Sequence, residues 1–247
     1  MSSENPIGQP FIHLTQVEST NNYAMAQAQA QMAGHGTAWF ADYQTKGKGQ
    51  RGKVWTGEAG QNIFISILVA PSSLKLGDQF KLSAAVATAC CNFFSAYALD
   101  ETKIKWPNDI YWKDRKAGGI LIENIMQGDN WKYAIVGIGI NINQTSFEGI
   151  ANAVSLKQIT GKKFDALLLA KELCSRINGR WNQVVSGDFE KILFDYNALL
   201  YKANQQVVFR KDEEIFAAVV RSVNGVGELL INDGEIIAYG EAQWVLS

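Results

Sequence analysis

The sequence predicts an α+β fold that ends in a small all-β unit. Strand-length apolar runs with antiparallel-looking spacing fill the first part of the chain. Two long segments of helical periodicity interrupt and follow them. After Lys202 the helices stop, and short strands alternate with turns such as Asn224-Gly225 and Asn232-Asp233-Gly234.

The elements follow in order. Ser19-Thr20 before Asn21 to Ala33 reads as an N-capped helix. Thr37 to Thr45, with Trp39, Phe40 and Tyr43, reads as a strand. Lys46 to Gly60 is a loop dense in glycine and positive charge. Ile63 to Val69 is a continuous apolar run, the pattern of a buried strand. Gly77 to Leu99 has helical spacing, with Phe80, Ala84, Ala87, Cys91 and Phe94 on one face. Lys103 to Trp106 and Ile110 to Trp112 flank a Pro-Asn-Asp turn as strand pieces. Gly119 to Asn124 and Lys132 to Ile142 are two more strands. Phe164 to Val185 and Phe189 to Leu200 are helices. Val207 to Arg210, Ile215 to Val223, Glu228 to Ile231 and Ile236 to Tyr239 are the short strands of the final unit. The boundary near Ala203 divides the chain into 1–202 and 203–247.

Composition sets the outer limits. The chain has 247 residues, 47% apolar and 19% charged, enough for one large domain with a sizeable core. Its 23 Lys+Arg balance 24 Asp+Glu, so any basic site is local and no global field points to nucleic acid or an anionic membrane. Three cysteines, Cys90, Cys91 and Cys174, give neither a disulfide framework nor a zinc spacing. Two histidines leave little material for a histidine-based metal centre. The start of the chain lacks a signal-peptide pattern, so a cytoplasmic protein is expected.

Three motifs stand out. The first is Gly47-Lys48-Gly49-Gln50-Arg51-Gly52-Lys53. It fits both G-x-G-x-x-G and G-x-x-x-x-G-K, with Val54 where Ser or Thr would hold magnesium. Both dinucleotide and P-loop sites need a helix directly after the loop, because its N-terminus binds phosphate. Val54-Trp55-Thr56-Gly57 follows instead, so both readings are rejected. What survives is a glycine loop whose backbone can approach an anion, carrying Lys46, Lys48, Arg51 and Lys53. A solvated basic loop is the plain alternative.

The second motif is Lys105-Trp106-Pro107-Asn108-Asp109 followed by Lys116-Ala117-Gly118-Gly119. Alone, Pro107-Asn108-Asp109 would be only a turn. Lys116, however, opens a strand beside two glycines, across a short hairpin from Asn108 and Asp109. A lysine beside a carboxylate and an amide can bind a nucleotide with its metal. The third motif, Val136-Gly137-Ile138-Gly139-Ile140-Asn141, places glycines inside a strand, which marks a bulge, tight packing or the close approach of a ligand.

Taken together, in this order and approximate spacing, these residues resemble the biotin–protein ligase family. Ser19-Thr20-Asn21, Gln44, Trp55 and the Ser155 to Asp165 segment belong to the same pattern, which covers most of residues 15 to 245. The resemblance implies a mixed sheet with flanking helices, similar to class II aminoacyl-tRNA synthetases, and a C-terminal SH3-like β-barrel. It implies an enzyme that makes biotinyl-5′-adenylate from biotin and MgATP, then acylates a lysine of a biotin carboxyl carrier protein. Lys116, Lys48 and Arg51 would be catalytic. Ser19, Thr20, Asn21, Gln44, Lys48, Gly49, Gln50 and Lys116 would bind biotin. Gln50, Arg51, Trp55, Asn108, Asp109 and Asn141 would serve the nucleotide. No protein metal ligand is assigned.

Lys48, Gln50 and Lys53 stand where the family often has arginine. Lysine lacks the bidentate fork and glutamine lacks the charge, which bears on how tightly the loop retains the adenylate. The loop is expected to be mobile without ligand. With the first motif at Ser19, no DNA-binding domain is expected, hence no operator binding, and the oligomeric state is expected to be a monomer or weak homodimer. A lipoate–protein ligase or octanoyltransferase is the nearest competing reading, and a non-catalytic binding module the next.

Overall fold

The computed structural model describes residues 5–71, 74–98, 101–147 and 152–245. Strand Phe11–Val17 (β1) leads to helix Thr20–Gln29 (α1) and strands Ala38–Gln44 (β2) and Asn62–Val69 (β3). Helix Gln79–Ala98 (α2) precedes strands Thr102–Lys105 (β4), Asp109–Trp112 (β5), Arg115–Gln127 (β6) and Asn130–Asn141 (β7). Helices Leu156–Thr160 (α3), Ala166–Val185 (α4) and Phe189–Ala198 (α5) follow. Strands Gln206–Lys211 (β8), Glu214–Val223 (β9), Leu229–Ile231 (β10), Glu235–Ile237 (β11) and Gln243–Val245 (β12) come last.

The first seven strands form one sheet in the order β1-β2-β3-β7-β6-β5-β4. It is mixed: β1 and β2 run parallel, and the other neighbours are antiparallel. The last five form an antiparallel sheet in the order β11-β10-β9-β8-β12, as the short strands and their turns predict.

The apolar run of β3 is explained by cover on both faces. Ile63, Ile65 and Ile67 pack into the main core with α2 and α4. Leu68 joins Ala24, Ala28, Trp39 and Ile135 in a second cluster that includes residues of α1. Helix α2 buries more than the single face its periodicity predicts, because it lies among the sheet, α4 and α5. The end of the predicted helix at Leu99 lies outside the described residues.

Three expectations shift. Helix α1 stops at Gln29 rather than Ala33, where Gln31 takes a left-handed φ of 58° and turns the chain. Strand β1 was not predicted: its polar positions break the alternation, and it forms by parallel pairing with β2. Strand β12 is too short to announce itself and forms on β8. The three cysteines are buried and free, and burial pushes the Cys91 and Cys174 thiols up to about 12, so they are packing groups rather than nucleophiles. Among the described residues no helix is long and apolar enough to cross a membrane.

Candidate active site

One face of the sheet carries a cleft of about 740 Å³, bounded by the start of α1, the glycine loop, the β4–β5–β6 strands and the β11–β12 connection. Its floor owes its depth to missing side chains. A Cβ on Gly137 would lie 2.0 Å from Asn21 Oδ1, and one on Gly139 would lie 2.4 Å from the Trp55 ring. The strand glycines thus mark close approach, with Asn21 and Trp55 lying against the space they leave.

The end of the cleft nearest β3 is polar, and the charges of Lys48 and Glu123 beside it offset each other. Ser19 caps α1 and Thr20 donates to Gln44 Oε1 from both its backbone nitrogen (2.8 Å) and its hydroxyl (3.0 Å). Ser66 Oγ lies 2.8 Å from Thr20 Oγ1 and 2.6 Å from Asn21 Oδ1. The Asn21 amide donates to Glu123 Oε2 at 2.8 Å, and Glu123 also takes Lys48 Nζ at 2.9 Å. Donors and acceptors fixed this way suit a ligand that needs both.

The opposite end is basic. Lys116 Nζ lies 2.6 Å from Asp109 Oδ1 and 5.4 Å from the centroid of the Trp55 ring. The Lys116 backbone is clamped: its nitrogen donates to Asn152 O (2.6 Å) and its carbonyl accepts from Val154 N (2.9 Å). Asn108 donates to Ile120 O at 2.6 Å and fixes the turn that carries Asp109. Lys105 Nζ sits 5.3 Å from the centroids of both Tyr111 and Trp244, and burial pushes its pKa down to about 8. Lys53 and Arg51 also line the cleft.

The glycine loop is a small hairpin, not a helix start. Lys48 and Val54 form an isolated bridge, Gly49 N donates to Lys53 O (2.7 Å), and Trp55 N donates to Gly47 O (2.8 Å). Gly47 has no alternative, since a Cβ there would lie 2.2 Å from the Trp55 carbonyl oxygen. Arg51 takes a left-handed φ of 53° at the tip. Gln50 donates to the Tyr239 hydroxyl at 2.6 Å, which ties the tip to the C-terminal sheet.

The fold therefore brings together Ser19, Thr20, Asn21, Gln44, Lys48, Gly49, Gln50, Arg51, Trp55, Asn108, Asp109 and Lys116 around one cleft. Asn141 stands apart from this group. It does not line the cleft; its side-chain amide turns under the strand to donate to Lys116 O (3.3 Å) and Val154 O (3.2 Å). Its position at the buried end of β7 makes it a support for the lysine. Sequence reasoning missed Ser66, Tyr239 and Trp244, and gave Lys105 no role. Ser66 had a signal, as the lone hydroxyl in the apolar β3 run. Tyr239 and Trp244 had none, since only tertiary pairing brings them here.

Among the described residues no group of three or more His, Cys, Asp or Glu side chains could hold a metal ion.

The sequence model of the biotin/lipoate A/B protein ligase family matches residues 14–141. The bifunctional ligase/repressor BirA of Bacillus spizizenii is 31% identical over 236 residues, which cover 93% of this chain and 71% of that protein. The biotin–[acetyl-CoA-carboxylase] ligase of Mycobacterium tuberculosis is 25% identical over 226 residues, 90% of this chain and 82% of the other. The structure of biotin protein ligase from Aquifex aeolicus in complex with biotin and ATP superposes with a TM-score of 0.79 at 26% identity, covering 96% of this chain and 98% of that one.

Proposed function

The chain belongs to the biotin/lipoate A/B protein ligase family, and from that premise and the two-ended cleft we propose that it is an ATP-dependent biotin–protein ligase. It activates biotin with ATP as biotinyl-5′-AMP and transfers the biotinyl group to a lysine of a carboxylase's biotin carboxyl carrier protein. The observation that carries this is the joining of a neutral polar pocket to a cluster of cations around Lys116 in one cleft.

The first step brings a carboxylate against a triphosphate. Two like charges about 4 Å apart repel by about 4 kcal/mol at an effective dielectric of ~20. Lys116, Lys48 and Arg51 offset that repulsion and stabilise charge on the α-phosphate. A biotin carboxylate oxygen bonds to the α-phosphorus, the bond to the β-phosphate bridging oxygen breaks, and pyrophosphate leaves. Ser19, Thr20, Asn21 and Gln44 hold the ureido ring, which both donates and accepts hydrogen bonds. Gly49 and Gln50 cover the adenylate, and Trp55, Asn108 and Asp109 face the nucleotide. In the second step the acceptor amine, having lost a proton, attacks the acyl carbon, and AMP leaves.

The catalytic unit is taken as residues 1–202 and the small β domain as 203–247. On this reading the enzyme works in the cytoplasm, on a carrier protein rather than on DNA, as a monomer or weak homodimer; the near balance of 23 Lys+Arg against 24 Asp+Glu supports the part that concerns DNA. ATP–pyrophosphate exchange run with biotin, with lipoate and with neither tests the proposal. Exchange that requires biotin is expected; exchange with lipoate alone would move the substrate to the sister branch of the family.

A further inference from the structure

We propose that Lys105, gripped between Tyr111 and Trp244, is the seat of the departing pyrophosphate, so that the C-terminal sheet builds the leaving-group end of the cleft. This rests on the ligase reading above and adds a residue and a direction to it.

The first argument is from order across the sheet. The polar pocket stands on the β3 side, at Ser66 and the start of α1. Lys116 lies on β6, and Lys105 ends β4 at the far edge of the strand order β3-β7-β6-β5-β4. Register pairs Lys105 with Asp109, and Asp109 carries the ion pair to Lys116. Phosphoryl transfer places the attacking and leaving oxygens roughly in line. A carboxylate arriving from the β3 side at a phosphorus beside Lys116 therefore expels its leaving group toward β4.

The second argument is from charge. Lys116 Nζ is held by Asp109 and Lys48 Nζ by Glu123. Lys105 makes no carboxylate ion pair among the described residues. Two aromatic faces hold it instead, at 5.3 Å each. A half-buried ammonium without a direct counter-ion is costly unless a ligand supplies one. Burial pushes the Lys105 pKa down to about 8; the Asp109 carboxylate pulls it back up in part, and Lys116 and Lys53 add repulsion, so the nearby carboxylate only partly balances the three cations. A di- or polyphosphate would neutralise all three lysines together.

The third argument is from support. Trp244 is no loose terminal side chain. Its indole nitrogen donates to Trp106 O at 3.0 Å, one residue beyond Lys105, and its ring packs on Tyr201 and Phe209. Tyr111 packs against the same Tyr201, with the rings tilted by 45° and their centroids 5.2 Å apart. The two faces that grip Lys105 are thus fixed before any ligand arrives, as a preorganised site requires.

Calorimetric titration with magnesium pyrophosphate, without biotin or ATP, tests this directly. Lys105→Met should weaken binding roughly 10–100-fold, the worth of one charge-assisted contact, while the affinity for biotin is unchanged. Lys105→Arg keeps the charge and should stay within about threefold of the unaltered protein. Pyrophosphate bound equally well by Lys105→Met, or a parallel loss of biotin binding, would overturn the proposal. The titration needs no turnover, so a failure of the ligase reading would show separately, as exchange that does not depend on biotin.

Discussion

Asp109 Oδ1 meets Lys116 Nζ at 2.6 Å across the β5–β6 hairpin, so the cation at the centre of the cleft is already ordered without ligand. An ammonium fixed in advance reorganises little when charge develops on phosphate. Lys116→Ala should therefore lower biotin-dependent exchange by about 10²–10³-fold. Thermal melting should be nearly unchanged, because Lys116 is partly exposed. A loss smaller than tenfold would remove Lys116 from the chemistry.

Asn141 should act through Lys116 rather than on the nucleotide. Asn141→Ala leaves the carbonyls of Lys116 and Val154 without their side-chain donor. The expected cost is about 1–3 kcal/mol of stability, read by denaturant unfolding, together with a fall in kcat. A change confined to KM for ATP would put Asn141 at the nucleotide after all.

The two strand glycines should separate the two substrates. An added methyl at Gly137 collides with Asn21, and one at Gly139 collides with Trp55. Gly137→Ala should raise KM for biotin, and Gly139→Ala should raise KM for ATP. Each should also cost about 1–3 kcal/mol of stability as overpacking. Steady-state kinetics with each substrate varied in turn checks the split.

Lys105 makes stability depend on pH in a definite direction. Its pKa falls from the ordinary 10.5 to about 8 in the folded protein. Between those values the unfolded chain binds more protons, so stability rises with pH. The penalty is complete below about pH 8 and gone above about 10.5. Lys105→Met should melt higher than the unaltered protein at pH 7, and the gap should close toward pH 10. A gap that widens with pH would contradict the assignment.

The glycine loop tests its own restraints. Gln50 and Tyr239 are joined at 2.6 Å, and Lys48 and Glu123 at 2.9 Å. Protease cleavage within 46–55 should accelerate in Tyr239→Phe and slow when biotin and ATP are both present. Equal rates with and without ligand would remove ligand-dependent closure.

The cleft was legible in the sequence where local chemistry dictates position. Ser19 had to cap α1, and a loop of glycines and cations without a following helix had to be something other than a Rossmann turn. Strand period put Gly137 and Gly139 on one face, and the order of motifs did the rest. What stayed hidden depends on distance along the chain. Asn141 sits one residue beyond Ile140 at the end of β7, and nothing local says that its amide faces inward to Lys116. Lys105 looks like an ordinary lysine until a strand 138 residues beyond Trp106 lays Trp244 over it, through a bond to Trp106. β1 depends in the same way on β2, since its residues alone do not alternate cleanly.

Trp106 has a consequence for how the chain can be taken apart. Its indole donates to Gly227 O at 2.9 Å while its carbonyl receives Trp244, so one buried residue is bonded both to the β9–β10 turn and to the edge strand β12 of the C-terminal sheet. The last strands are therefore not a detachable module. Grafting this sheet from a distant relative would succeed only if the graft brought its own match for Trp106, and recombination within this family should find few viable crossover points between β4 and β12.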